Sequence, residues 1–193
     1  LFHEQPDQHG QCREAAKHDS LTGTIEPVNN LYSMDGAVYT IFSDEAMTNA
    51  VRTLTISNGA ASTERDLPLG DYWVQETTAP NYYDRDTNTY KVTISPENVE
   101  GIIRVVSSDT PVRGKLAVQK VDAETGEKHP LAANLSFKDA VFGIYSDNAC
   151  TDLVEEITTD DSGYAISSDL LINDYWIKEI TPPTGYNRND TVY

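Results

Sequence analysis

The decapeptide DYWVQETTAP, residues 71–80, returns as DYWIKEITPP at residues 174–183, an offset of 103 positions. The same offset aligns much more of the chain. GAVYTIFSDEAMT from Gly36 matches DAVFGIYSDNACT from Asp139, and Lys17, Asp19, Thr22-Gly23 and Tyr83 match Lys120, Asp122, Thr125-Gly126 and Tyr186. From Lys17 to Tyr90 this reading requires no insertion. So many dispersed identities in one register indicate internal duplication, and a period near 100 residues is a domain rather than a solenoid repeat. The first copy spans residues 1–111 and the second 112–193. SSDTPVRG, with Pro and Gly at turn positions, joins them. Nothing in the second copy matches residues 91–111, so it is expected to lack its C-terminal strands.

Each copy reads as strands. AVYTIFSD and YWVQET alternate, TYKVTISP and IIRVVSSD close the first copy, and SPENVEG turns between them. Thr, Val, Ile and Tyr are plentiful, and no long amphipathic helix appears. SDEAMTNAV and SDNACTDLV leave room for one helical turn each. The expectation is an all-β chain of two tandem antiparallel β-sandwiches, the second C-terminally incomplete. In KLAVQKVD, strand alternation puts Lys120 on the face of Leu116 and Val118. A lysine among core residues is costly unless it is neutralised or bonded. QCREAAKHD, its counterpart around Lys17, is a poor strand by pattern, with Arg13, Ala15 and His18 where the second copy has Leu116, Val118 and Val121.

Composition excludes several functions. Fourteen basic residues against 31 acidic leave a net charge of −17, which repels nucleic acid and anionic membranes. No apolar run approaches the ~18 residues that span a bilayer. Cys12 and Cys150 fall in different copies at non-equivalent positions and read as incidental. His3, His9, His18 and His129 lack metal-site spacing. No phosphate loop, nucleophile elbow or catalytic histidine pair is visible, and no cofactor is expected.

In combination, GKLAVQKVDAETG, AVFGIYSD and YWIKEITPPTGY resemble the Cna-B or SpaA-type domain of Gram-positive surface proteins and pilins. The decapeptide resembles that family's E-box and VVSSDTP its last strand. The resemblance implies a transthyretin-like or inverse immunoglobulin-like sandwich. It also implies an intramolecular isopeptide bond between a first-strand lysine and a last-strand Asp or Asn, assisted by the E-box glutamate. On this chain those residues are Lys17, Glu76 and Asp109 in the first copy and Lys120 and Glu179 in the second, whose acceptor is absent from the chain. Without its acceptor, Lys120 is expected to pair ionically with Glu179.

The chemistry explains the odd glutamate. Condensation needs a neutral amine and a carboxyl able to lose water, and at neutral pH in water both groups carry the wrong charge. Desolvation disfavours whichever form is charged, and a second buried acid supplies a proton relay. The event is a single turnover within one molecule, not enzymatic turnover of a substrate. Two such domains in line read as a structural stalk or shaft of a cell-surface adhesin or pilus, extracellular and attached to the wall of a Gram-positive bacterium. The partners are then neighbouring domains or subunits. The alternative is a module that binds a host matrix protein or glycan through its loops or through Tyr82, Tyr83 and Tyr90. A third reading is an accessory domain of a secreted carbohydrate-active protein.

Overall fold

Alternating burial organises the strands of the computed structural model, which describes residues 13–63, 67–98 and 103–193. Cys12, His3 and His9 lie outside the described residues. The chain divides into two compact units, residues 1–112 and 113–193. Among the described residues there is no α-helix, and a 3₁₀ turn at Pro96–Asn98 is the single helical element.

Unit 1 contains β1 (Arg13–Asp19), β2 (Val38–Phe42), β3 (Ala50–Thr55), β4 (Ala60–Ser62), β5 (Gly70–Thr78), β6 (Thr89–Ile94) and β7 (Ile103–Asp109). They form a sheet of order β3-β2-β5-β6 and a second of order β4-β1-β7. Tyr39, Ile41, Ile56, Tyr72, Val74, Ile94 and Val105 are among the buried side chains of this unit. Every pairing is antiparallel except β1 with β7, which run parallel in the register Lys17↔Ser107 and Asp19↔Asp109.

Unit 2 contains β8 (Arg113–Gly114), β9 (Ala117–Gln119), β10 (Val141–Tyr145), β11 (Leu153–Thr158), β12 (Tyr164–Ile166), β13 (Leu170–Leu171) and β14 (Trp176–Thr181). The sheet β11-β10-β14 repeats β3-β2-β5, and the pair β12-β9 repeats β4-β1. Its core gathers Ala140, Phe142, Ile144, Ile157, Ala165 and Leu170, with Leu116 and Val118 packed against it. Val192 bridges to Lys178 as Thr89 pairs with Gln75, which begins the counterpart of β6. Among the described residues no strand of this unit corresponds to β7. In its place beside β9 lies a cleft of about 410 Å³, bordered by Val118, Lys120, Phe142, Ile177, Asn189 and Tyr193.

The structure changes two details of the sequence reading. The duplication is not free of insertions. Lys17 N–H donates to the carbonyl of Gly59, but Lys120 N–H donates to that of Gly163, 104 positions on. Unit 2 therefore carries one extra residue in the turn before β12, and the 103-residue offset is restored by the buried pair Leu67 and Leu170. Both turn glycines need their positive φ (76° and 75°), and a Cβ would strike Ile25 or Phe137. The second change concerns SDEAMTNAV and SDNACTDLV, which form turns rather than helix. Asp44 accepts the N–H groups of Thr48 and Asn49, and Asp147 accepts those of Thr151 and Asp152.

Candidate functional site

Alternation places the site. On β1, Ala15, Lys17 and Asp19 are buried in sequence, and on β7 so are Val105, Ser107 and Asp109. On β5 the inward row is Tyr72, Val74 and Glu76. The poor local pattern of QCREAAKHD is thus overridden: residues 13–19 of that segment are a strand, and Lys17 points into the core. A register shift between Val38 and Tyr39 sets Glu76 directly opposite Tyr39. A bulge of this kind re-aims side chains next to a site. The same shift sets Glu179 opposite Phe142.

Lys17 and Glu76 are fully buried and Asp109 is 1% exposed. Lys17 Nζ donates to Glu76 Oε1 at 2.7 Å and touches Asp109 Oδ1. Among the described residues neither oxygen of Asp109 accepts a hydrogen bond of ordinary geometry, so the amine is its close partner. Burial pushes the Asp109 carboxyl above the usual carboxylate range, against the lowering effect of Lys17. Burial also raises Glu76, opposed by Lys17 and by the Asp86 N–H. Two acids and an amine without water form a set in which full ionisation is expensive.

Several supporting residues carried no signal in the sequence reading. The loop from Ala79 to Asn88 folds back on Glu76. Asp86 N–H donates to Glu76 Oε2 at 2.7 Å, and the Arg85 guanidinium donates to the Glu76 carbonyl at 3.0 Å. The Tyr39 ring lies 5.5 Å below Lys17 Nζ, and its hydroxyl is bonded to Ser107 Oγ. Asp19 accepts the N–H groups of Leu21 and Val28 and the hydroxyl of Tyr83. Comparing the copies position by position exposes such residues: Asp86 against Asn189, Tyr39 against Phe142, and Tyr83 against Tyr186 share the 103 offset.

Unit 2 repeats part of this arrangement. Lys120 Nζ donates to Glu179 Oε1 at 2.6 Å, and Asn189 N–H donates to Glu179 Oε2 at 2.6 Å. Among the described residues no other carboxyl lies within ion-pair distance of Lys120, whose side chain is 12% exposed. Lys17, Glu76 and Asp109 therefore meet at one point, whereas Lys120 and Glu179 meet without a third group. Of the three tyrosines considered for binding, Tyr83 and Tyr90 spend their hydroxyls inward on Asp19 and Asp86, and only the Tyr82 ring is exposed. Cys150 is a free thiol and His129 is exposed.

Residues 24–109 and 114–193 each match the family described as SpaA, prealbumin-like fold domain. The chain belongs to that family. The chain is also similar in sequence to the trypsin-resistant surface T6 protein of Streptococcus pyogenes serotype M6, 33% identical over 107 residues. That match covers 55% of this chain and 18% of the streptococcal protein, so the chain spans less than a fifth of that relative. Among solved structures, the Bacillus anthracis TIE protein matches 96% of the chain and 31% of its own, with a TM-score of 0.67 and 24% identity. A streptococcal ancillary pilin matches 98% of the chain and 59% of its own, with a TM-score of 0.44 and 17% identity.

Proposed function

We propose that the chain is a load-bearing stalk or shaft segment of a Gram-positive cell-surface adhesin or pilus, and that unit 1 welds itself through an isopeptide bond between Lys17 and Asp109. The observation that carries this reading is the parallel β1–β7 pair with a buried amine and a buried carboxyl in contact at its end. Membership of the SpaA family and the sequence likeness to a streptococcal surface protein support the cell-surface setting.

The condensation uses only groups in place. The Lys17 ammonium gives one proton to the Asp109 carboxylate, whose burial favours the neutral acid. The free amine attacks Cγ of Asp109. Glu76 Oε1 takes a second proton from the nitrogen and passes it to the departing hydroxyl, which leaves as water. The products are an amide and one water, with Glu76 unchanged. The fold supplies proximity by holding the reactants in contact. Tension entering at the start of β1 then crosses to β7 at Lys17 and leaves along the chain after Asp109. The intervening 91 residues are bypassed. In a parallel pair pulled from opposite ends, the ladder alone would bear that load in shear.

Intact mass of the chain tests the reading. It is expected to fall short of the sequence mass by one water, not two, because unit 2 offers no acceptor to Lys120. Glu76→Ala should restore the full mass, and fragmentation should locate the link between Lys17 and Asp109. A wild-type chain at full mass overturns the proposal.

A further inference from the structure

Asp86 is buried and belongs to none of the three reacting groups, yet its backbone N–H reaches one of them, Glu76. The Asp86 carboxylate Oδ1 accepts the N–H of Asn88 at 2.8 Å, forming an Asx turn, and Oδ2 accepts the Tyr90 hydroxyl at 2.6 Å. That turn directs the Asp86 N–H onto Glu76 Oε2. One glutamate oxygen is thereby occupied by a donor and the other, Oε1, is left to Lys17.

Unit 2 contains a natural control. Asn189 stands at the equivalent position, its Oδ1 accepts the N–H of Thr191 at 3.0 Å, and its N–H donates to Glu179 Oε2. Its side-chain amide donates to the Tyr193 hydroxyl at 2.8 Å, where Asp86 accepts from Tyr90, so the tyrosine contact has reversed polarity. The turn therefore tolerates Asp or Asn, and what Asp86 adds in unit 1 is charge.

We propose that Asp86 is a positioning residue for the Lys17–Asp109 condensation: its turn reserves Glu76 Oε1 for the proton of Lys17, and its carboxylate adds a further negative group beside the reacting cluster. This inference rests on the isopeptide reading of unit 1. Around Asp86 stand Glu76 on β5, which takes its N–H, Tyr90 on β6, Tyr39 on β2 and Asp109 on β7, with Arg85 next in the chain. Burial chiefly makes Tyr39, Tyr90 and Asp109 hold their protons more tightly, and the Asp86 charge adds to that. Removing that charge moves those three equilibria toward lower pH.

The test follows bond formation after the unfolded full chain is diluted from denaturant, by intact mass at timed quenches and across a pH series, with circular dichroism reporting folding. Asp86→Ala is expected to slow water loss about ten- to hundredfold, the scale of a misplaced reacting group. Asp86→Asn is expected to restore the rate to within a few-fold of wild type, with its pH–rate profile displaced to lower pH. Alanine at wild-type rate, or asparagine as slow as alanine, overturns the positioning role. An undisplaced profile in the asparagine variant overturns the role of the charge. A wild-type chain that never loses water sinks the condensation itself, a result distinct from all of these.

Discussion

Two copies of one ancestral unit follow one another along this chain, and they share the lysine–glutamate half of the site but not its surroundings. Lys17–Glu76 and Lys120–Glu179 have nearly the same geometry, 2.7 and 2.6 Å, each with a backbone N–H on the second glutamate oxygen. Everything contributed by the last strand differs. With β7 present, β1 runs for seven residues and its lysine is sealed from water. Without a counterpart, β9 is three residues long and Lys120 keeps some exposure. The donor half is thus self-supporting, held by the first strand, the glutamate strand and the loop that follows it. The acceptor strand supplies Asp109, seals the lysine and lengthens the strand it pairs with.

The hydroxyls divide in the same way. Tyr39 reaches Ser107 on β7, where unit 2 has Phe142 and no strand to reach. Tyr83 donates to Asp19, whereas the buried hydroxyl of Tyr186 has no partner among the described residues, and burial, with the nearby Asp122 charge second, raises its pKa.

The largest contrast is expected from the lysines. With the proposed link in place, Lys17→Ala removes the closure of a 92-residue loop, worth about 4–5 kcal/mol by analogy with a disulfide, and strands two buried acids. Lys120→Ala strands only Glu179, a loss of about 3–5 kcal/mol. Hydrogen exchange read separately in each unit should show the greater loss in unit 1. Equal losses would mean that the two lysines do the same work and that no covalent link distinguishes them.

A middle-sized contrast concerns the tyrosines. Tyr39→Phe and Tyr83→Phe should each destabilise unit 1 by about 1–3 kcal/mol, because Ser107 and Asp19 are left short of a buried partner. Tyr186→Phe should leave unit 2 as stable as before or more so, since no hydrogen bond is lost. Urea unfolding of the three variants decides this. A clear loss in the Tyr186 variant would show that its hydroxyl finds a partner after all.

The smallest effect is one in which the units should agree. Hydrogen bonds from Thr48 and Asn49 hold Asp44 below the usual carboxylate range, and those from Asp152 and Thr151 do the same for Asp147. A carboxyl with a lowered folded-state pKa stabilises above its unfolded value, about 3.9, and that stability is lost as pH falls through the folded value. Asp44→Asn and Asp147→Asn should therefore flatten melting temperature between pH 5 and 2, modestly and alike. A response in one unit alone would break the equivalence of these turns.

The duplication and the β class were legible in the sequence because they rest on repeated identities and strand alternation, whereas Lys17, Glu76, Asp109, Lys120 and Glu179 were named through the resemblance to the Cna-B or SpaA-type domain, Asp109 having no repeated counterpart. Asp86 was not, since an Asx turn in a loop looks like any other polar stretch until the N–H it directs is seen meeting Glu76. Nor was the extra residue in the turn before β12, which matching identities on either side conceal. Only the tertiary structure decided that REAAKHD is a strand, that β1 and β7 run parallel, and that Lys17 touches a carboxyl 92 residues away. Local pattern cannot supply these facts. A strand between two partners takes its conformation from their hydrogen bonds, and the charge state of a buried group is set by whichever distant side chains the fold brings against it.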